Sequence, residues 1–360
     1  MSEVVNALGR ALGDRVRVDP ETRAEYRRDY SMLAELREFQ DREGPLPQAV
    51  VEARSVEDVA DCLRICRLER TPVVTVGGAS GVCCGIQPGA DAVMLSTRGM
   101  AGLVRMEPDD LTATFRAGTI GQAAEDRVRE DGLTIGHWPQ SIELSTVGGW
   151  VATRASGQYS TAYGNIEDLV LALEVVLPDG HVWNGLRSLL KDNSGYDLKH
   201  LFVGSEGTLG IITAATMRLF PRPQQIVTAM AAVSSIRTAL AAMTSLQAAT
   251  GNRMVACEIL SARSTEFCLR HLPDNRAPFR KPYPWTLLVE FHGGVGAELR
   301  STVGAGLANL LENTGIHDAV LAETAAQSAD LWRLRKGIPE AQTREGGSIK
   351  HDISVPPQRL

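Results

Sequence analysis

Three short runs of glycine, serine and threonine have the residue types and spacing that could do chemistry. The first, Val76-Gly77-Gly78-Ala79-Ser80-Gly81, continues through Val82-Cys83-Cys84-Gly85 after an apolar stretch. Glycine accepts positive φ and lets a ligand approach the backbone, and successive N–H groups curled into a concavity bind phosphate oxygens. Ser80 adds a hydroxyl donor. The run follows a strand but opens no helix, so it lacks the context of a Rossmann G-x-G-x-x-G turn. The second run extends from Pro139 to Gly157 and is dense in small residues and hydroxyls. It shows neither helical nor strand period, and a loop this long inside a compact domain is usually functional or disordered; its low charge argues against disorder. The third, Gly204-Ser205-Glu206-Gly207-Thr208-Leu209-Gly210, leads straight into an apolar run, as a tight turn with a bulge would.

The elements that must hold these runs can be read from periodicity. Ala49 to Val51 reads as a short strand, and Ser55-Val56-Glu57-Asp58 as a capping box before a helix over 56–69. Strands are expected over 71–76, 92–96, 111–117, 169–177, 181–184 and 209–220, with a helix over 120–131 and no regular element between 132 and 165. Beyond Pro221-Arg222-Pro223 the rhythm changes. Helices over 236–250 and 297–314 alternate with strands over 255–260 and 285–291, which suits a small antiparallel sheet with helices on one face. The expected organisation is an N-terminal helical segment over 1–45, a ligand-binding domain over 46–223 and a further domain over 224–360.

Bulk properties narrow the partners. A chain of 360 residues that is 44% hydrophobic and 22% charged reads as globular and long enough for two domains. Its net charge of −6 argues against nucleic acid, which rewards clustered Lys and Arg, and its short basic runs suit a small anion better. No apolar stretch reaches membrane-spanning length, and no secretory leader is visible at the N-terminus, so the cytoplasm is the expected location. The six cysteines form no matched CxxC pairs, so they read as reduced packing residues, with no metal site expected.

With Lys191-Asp192-Asn193-Ser194-Gly195-Tyr196-Asp197 leading towards Gly204, the three runs resemble the FAD-linked oxidases of the vanillyl-alcohol oxidase (PCMH) superfamily. The resemblance is to the branch of the glycolate oxidase subunit and the D-lactate and D-2-hydroxyglutarate dehydrogenases. It implies an α+β fold: a two-subdomain PCMH-type FAD-binding domain, then an α+β cap (substrate) domain with an antiparallel sheet. It implies FAD as cofactor, with Val76, Gly77, Gly78, Ala79, Ser80 and Gly81 at the pyrophosphate. Ser141, Thr146, Gly149, Thr153, Ser156 and Gly157 would line the ribityl chain and isoalloxazine, and Glu206, Gly207 and Ile212 would close the other side. Some relatives tether flavin through histidine, but His137 reads as an ordinary loop histidine.

Two branches compete for the reaction. Ser145-Thr146-Val147-Gly148-Gly149-Trp150 and Tyr163-Gly164-Asn165-Ile166-Glu167-Asp168 are similar to alkyldihydroxyacetonephosphate synthases, flavoenzymes without net redox. The phosphate-binding arginine of that branch falls at Glu258, where a carboxylate would repel a phosphate. Leu331-Trp332-Arg333-Leu334-Arg335-Lys336 and Gly347 to Pro356 resemble the 2-hydroxy-acid dehydrogenases, in which cations matching Arg335 and Lys350 hold the substrate carboxylates. A substrate-contacting threonine of that branch is Pro339 here. The expected reaction is oxidation of a 2-hydroxy acid to its 2-oxo acid through hydride transfer to flavin N5. A small anionic substrate, an electron acceptor of unknown identity and a homodimer are the expected partners. Relatives of this type continue further, so the cap reads as incomplete, with its catalytic residues expected beyond Leu360.

Overall fold

The computed structural model describes residues 2–360 except 252, 297, 314, 349 and 350. The chain forms two compact units, one of residues 1–157 and 164–222, the other of 158–163 and 223–360.

The first unit is built on two sheets. In one, Ala49–Glu52 and Val73–Val76 flank Val93–Ser96 in parallel, with Val16–Arg17 antiparallel at the edge. The crossover helix Val56–Leu68 starts at the expected capping box, Ser55 and Asp58 bonding each other's backbone. It buries Val59, Leu63, Cys62 and Cys66 against the sheet. The N-terminal helix Glu3–Leu12 packs Val4, Val5, Leu8 and Leu12 into the same core rather than standing apart. Burying side chains of this kind contributes roughly 1.5–3 kcal/mol each.

The second sheet is wholly antiparallel, in the order Leu103–Glu107, Thr112–Arg116, Ile211–Arg218, Val170–Val176, Val182–Asn184. The expected long strand over 209–220 is split. Ile211–Arg218 joins this sheet, while Phe220–Pro221 pairs with Leu133–Thr134. The expected irregular stretch over 132–165 also holds short helices, Val147–Ala152 and Ser160–Tyr163. Two glycines and two β-branched residues among the six of Val147–Ala152 depress helix propensity, so tertiary contacts specify that helix and no periodicity announces it.

The second unit carries one antiparallel sheet in the order Met254–Ser261, Trp285–Gly293, Gln225–Val233, Ile316–Leu321. The helices Ile236–Thr250 and Leu299–Asn313 bury Ala239, Ala242, Leu246, Val303, Leu307 and Leu310 in its larger core. The helices Ala262–His271 and Ala325–Lys336 bury Cys268, Leu331, Trp332 and Leu334 in the smaller one. Among the described residues, no helix is long and apolar enough to cross a membrane.

Candidate cofactor and anion sites

The first run begins where the strand Val73–Val76 ends, and it stays irregular through Gly85. Ala79 takes φ 54°, a left-handed conformation uncommon for a residue with a Cβ. Such a residue within a turn points backbone N–H groups into a common concavity. Arg98 braces the loop, its Nε donating to the Gly77 carbonyl at 2.8 Å and its Nη2 to the Gly78 carbonyl at 3.2 Å. The N-terminal segment braces it further. The Tyr30 amide donates to the Gly81 carbonyl at 2.9 Å, and buried Asp29 accepts from the Gly85 amide at 3.0 Å.

The second run lies directly against the first. A Cβ on Gly77 would overlap the Thr146 hydroxyl, and one on Gly78 would overlap the Leu144 carbonyl oxygen. The run turns where the Leu144 and Ser145 amides both donate to the Ser141 carbonyl, at 2.8 and 2.7 Å. Fully buried Thr146 then caps the helix Val147–Ala152, its hydroxyl accepting from the Gly149 amide at 3.2 Å. A Cβ at Gly148 would come 2.6 Å from the Ala117 Cβ, so only glycine fits. At the helix end the Thr153 hydroxyl bonds the Gly149 carbonyl at 2.9 Å. Ser156 donates to the Asn165 side chain at 2.9 Å, and a Cβ on Gly157 would lie 2.6 Å from the Trp138 amide.

The third run closes the arrangement. The Gly204 and Glu206 amides both donate at 3.0 Å to carbonyls of the second run, Val151 and Ala152. A Cβ on Gly207 would stand 3.0 Å from the Thr75 hydroxyl, one residue before Val76. Glu206 at φ 48° and Gly207 at φ 82° are both left-handed. Ile212 is buried near the start of the strand that follows. All three runs therefore meet in one unit. Beside Gly78, Ala79 and Leu144 opens a cleft of about 590 Å³ that Arg98, Arg28 and Tyr30 also line.

These residues fit a flavin dinucleotide on geometry. Glycines stand where the backbone of one run touches another, and Ala79, Glu206 and Gly207 take the left-handed conformation found in anion-binding turns. One buried group also lacks partners. His137 is 1% exposed, packs edge-on to Trp150 at 4.7 Å, and among the described residues neither ring nitrogen has a hydrogen-bond partner. Burial pulls its pKa down to about 4, so it is a neutral imidazole at physiological pH. It lies in a loop, as expected from the sequence, but wholly buried.

The second unit places Arg335 in the last turn of Ala325–Lys336, where its Nε donates to Glu258 Oε2 at 2.7 Å. Lys350 lies outside the described residues. The surrounding 351–356 stretch forms no strand. Burial, and next the charge of Glu258, push the Cys257 thiol up to about 12, which removes it as a nucleophile. Sequence reasoning passed over a buried polar chain nearby. Glu290, 2% exposed, accepts from Trp332 Nε1 at 2.5 Å and from the Thr228 hydroxyl at 2.8 Å. His292 Nε2 lies 3.0 Å from Glu290, and His292 Nδ1 lies 3.0 Å from the Tyr163 hydroxyl. Burial alone would raise the Glu290 carboxyl, but hydrogen bonds from His292 and Trp332 hold it below its ordinary value. The Arg98 brace was missed as well. A lone arginine after a strand gives no sign of bonding two carbonyls some twenty residues upstream.

Comparison with known proteins decides the family. Residues 47–185 match the FAD binding domain model and 222–360 the model of the C-terminal domain of FAD linked oxidases. A D-2-hydroxyglutarate dehydrogenase of Xanthomonas citri pv. viticola is 31% identical over 341 residues, covering 95% of this chain and 69% of its own. The chain belongs to the FAD-linked oxidase family. FAD is the cofactor of that family's binding domain, and the cradle described above lies within it and in the third run. The mitochondrial D-2-hydroxyglutarate dehydrogenase of Bos taurus is 32% identical over 317 residues, covering 87% of this chain; the chain spans 57% of that relative's length. Among solved structures, an alkyldihydroxyacetonephosphate synthase superposes with a TM-score of 0.77 at 23% identity, covering 95% of this chain and 64% of its own. A p-cresol methylhydroxylase superposes with a TM-score of 0.71 at 18% identity, covering 92% and 68%. Both share the fold: a PCMH-type FAD-binding unit with a C-terminal cap.

Proposed function

We propose that this FAD-linked oxidase family member oxidises a 2-hydroxy acid of the D-lactate, glycolate or D-2-hydroxyglutarate type to the 2-oxo acid. The supporting observation is the meeting of three glycine-rich runs in one cradle, in a chain whose relatives along most of its length are named D-2-hydroxyglutarate dehydrogenases. When bound, FAD supplies at N5 the acceptor for the hydride that the acid's Cα gives up. In this reading Val76 to Gly81 hold the pyrophosphate through main-chain amides. Ser141, Thr146, Gly149, Thr153, Ser156 and Gly157 line the flavin, and Glu206, Gly207 and Ile212 close the opposite side. Arg335 and Lys350 bind the substrate carboxylate. The acceptor that takes the electrons onward, a homodimeric assembly and a cytoplasmic location belong to the same proposal.

An anaerobic titration tests it. The full chain, loaded with FAD, should lose its visible flavin band on addition of D-lactate, glycolate or D-2-hydroxyglutarate, and the matching 2-oxo acid should accumulate. A flavin band untouched by every 2-hydroxy acid would refute it and would favour the non-redox chemistry of the synthase branch.

A further inference from the structure

Arg335 differs from its basic neighbours in how it is held. Arg333, two residues earlier, is spent on Asp330 and on the Asp274 carbonyl. Among the described residues Arg335 makes a single bond, from Nε to Glu258 Oε2, across 77 residues of chain. The side chains are 25% and 22% exposed, so the pair is largely shielded. Among the described residues, the two terminal nitrogens of Arg335 have no hydrogen-bond partner.

Glu258 is itself firmly placed. It stands on Met254–Ser261, opposite Leu288 of the neighbouring strand, in a continuous register that runs from Ala256 to Ser261. Arg335 stands on a helix anchored by buried Leu331, Trp332 and Leu334. The carboxylate at Nε restrains the planar guanidinium, and Nη1 and Nη2, in the same plane, are left as two donors without a partner among the described residues. That is the geometry for end-on, bidentate capture of a second carboxylate. The partner that repels phosphate in the sequence comparison therefore has a constructive use here.

We propose that Glu258 is the positioning residue for Arg335, holding the guanidinium so that its free end takes the carboxylate of an anionic ligand. This rests on the 2-hydroxy-acid reading above. Two consequences separate it from a merely structural ion pair. Removing the Glu258 charge should weaken anion binding rather than slow the chemistry at saturation. It should also do nothing further once Arg335 is gone, because the effect passes through that side chain.

The probe is oxalate, an unreactive dicarboxylate, titrated into the FAD-loaded full chain while the flavin spectrum is followed; D-lactate bleaching is measured in parallel. Glu258→Gln should weaken oxalate binding and raise the half-saturating D-lactate concentration by about tenfold, the factor to which about 1.4 kcal/mol of lost binding corresponds. The limiting bleaching rate should change little. Glu258→Asp, which keeps the charge, should recover part of the loss, and Glu258→Gln with Arg335→Met should match Arg335→Met alone. Unchanged oxalate binding in Glu258→Gln, or additive losses in the double variant, would overturn the proposal. Should Glu258→Gln fail to fold, Arg335→Met decides: oxalate binding undiminished by it overturns the proposal equally. Oxalate binding that follows this pattern without bleaching by any 2-hydroxy acid would remove the proposed reaction and leave Glu258 in its role.

Discussion

The two units show two ways of building a recognition surface. The FAD-binding unit works with main chain: Gly77, Gly78, Gly148, Gly157 and Gly207 stand where a Cβ would crowd a neighbouring segment. The cap works with side chains, pairing Arg335 with Glu258 and burying Glu290 among Trp332, Thr228 and His292. A main-chain surface depends on the absence of atoms and is vulnerable to additions. A side-chain surface depends on partners and is vulnerable to deletions.

The largest expected effect breaks the cradle by adding atoms. Gly78→Val puts a branched side chain against the Leu144 carbonyl, which must move, and no flexible side chain is there to yield. The purified variant should be colourless, with FAD affinity down by about a hundredfold or more, the scale of 3 kcal/mol of overpacking. The cap should melt as in the wild type. A yellow variant with normal flavin content would show that the first two runs do not need their close approach.

The second prediction concerns pH and sharpens the contrast, since His137 is a side chain left unsatisfied within the main-chain unit. Its folded pKa is depressed from 6.5 to about 4 by burial. As pH falls below 6.5 the unfolded chain takes up a proton that the folded protein refuses. Stability present above that value is therefore lost progressively down to about pH 4, by about 3 kcal/mol for this residue alone. Urea unfolding of the first unit across that range, compared with His137→Phe, measures it. The same slope in both proteins would remove His137 as its source.

The smallest effect belongs to the cap. Glu290→Ala leaves the Trp332 N–H without its acceptor, while the Thr228 hydroxyl keeps Ser328, at a cost of roughly 1–3 kcal/mol for an unsatisfied buried group. The Glu290 pKa lies below its ordinary 4.5, so its stabilisation is present above that value and fades as pH falls through the lower folded value. Thermal melting should show the cap destabilised while flavin content stays unchanged. Loss of flavin instead would mean that the two modes of construction are not separable.

The same contrast explains what the sequence made legible. Gly77-Gly78, Gly148-Gly149 and Gly204 to Gly207 are visible because a missing side chain is itself a residue type. Ser55 with Asp58 was visible because a capping box is local. The helix Val147–Ala152 was not, since its glycines answer to Ala117 and Thr146 rather than to helix propensity. Strand Gln225–Val233, paired on both sides within the cap sheet, went unread because most of its residues are buried and it shows no alternation. The Arg335–Glu258 pair spans 77 residues, a separation no local pattern encodes.

Amide hydrogen exchange with and without FAD tests the central claim, that main-chain groups of three separate runs hold the cofactor. FAD should slow exchange together at 76–81, 141–157 and 204–207, leaving the exposed loop 186–198 and the cap strand Met254–Ser261 unchanged. Protection confined to one run, or concentrated in the cap, would contradict the account.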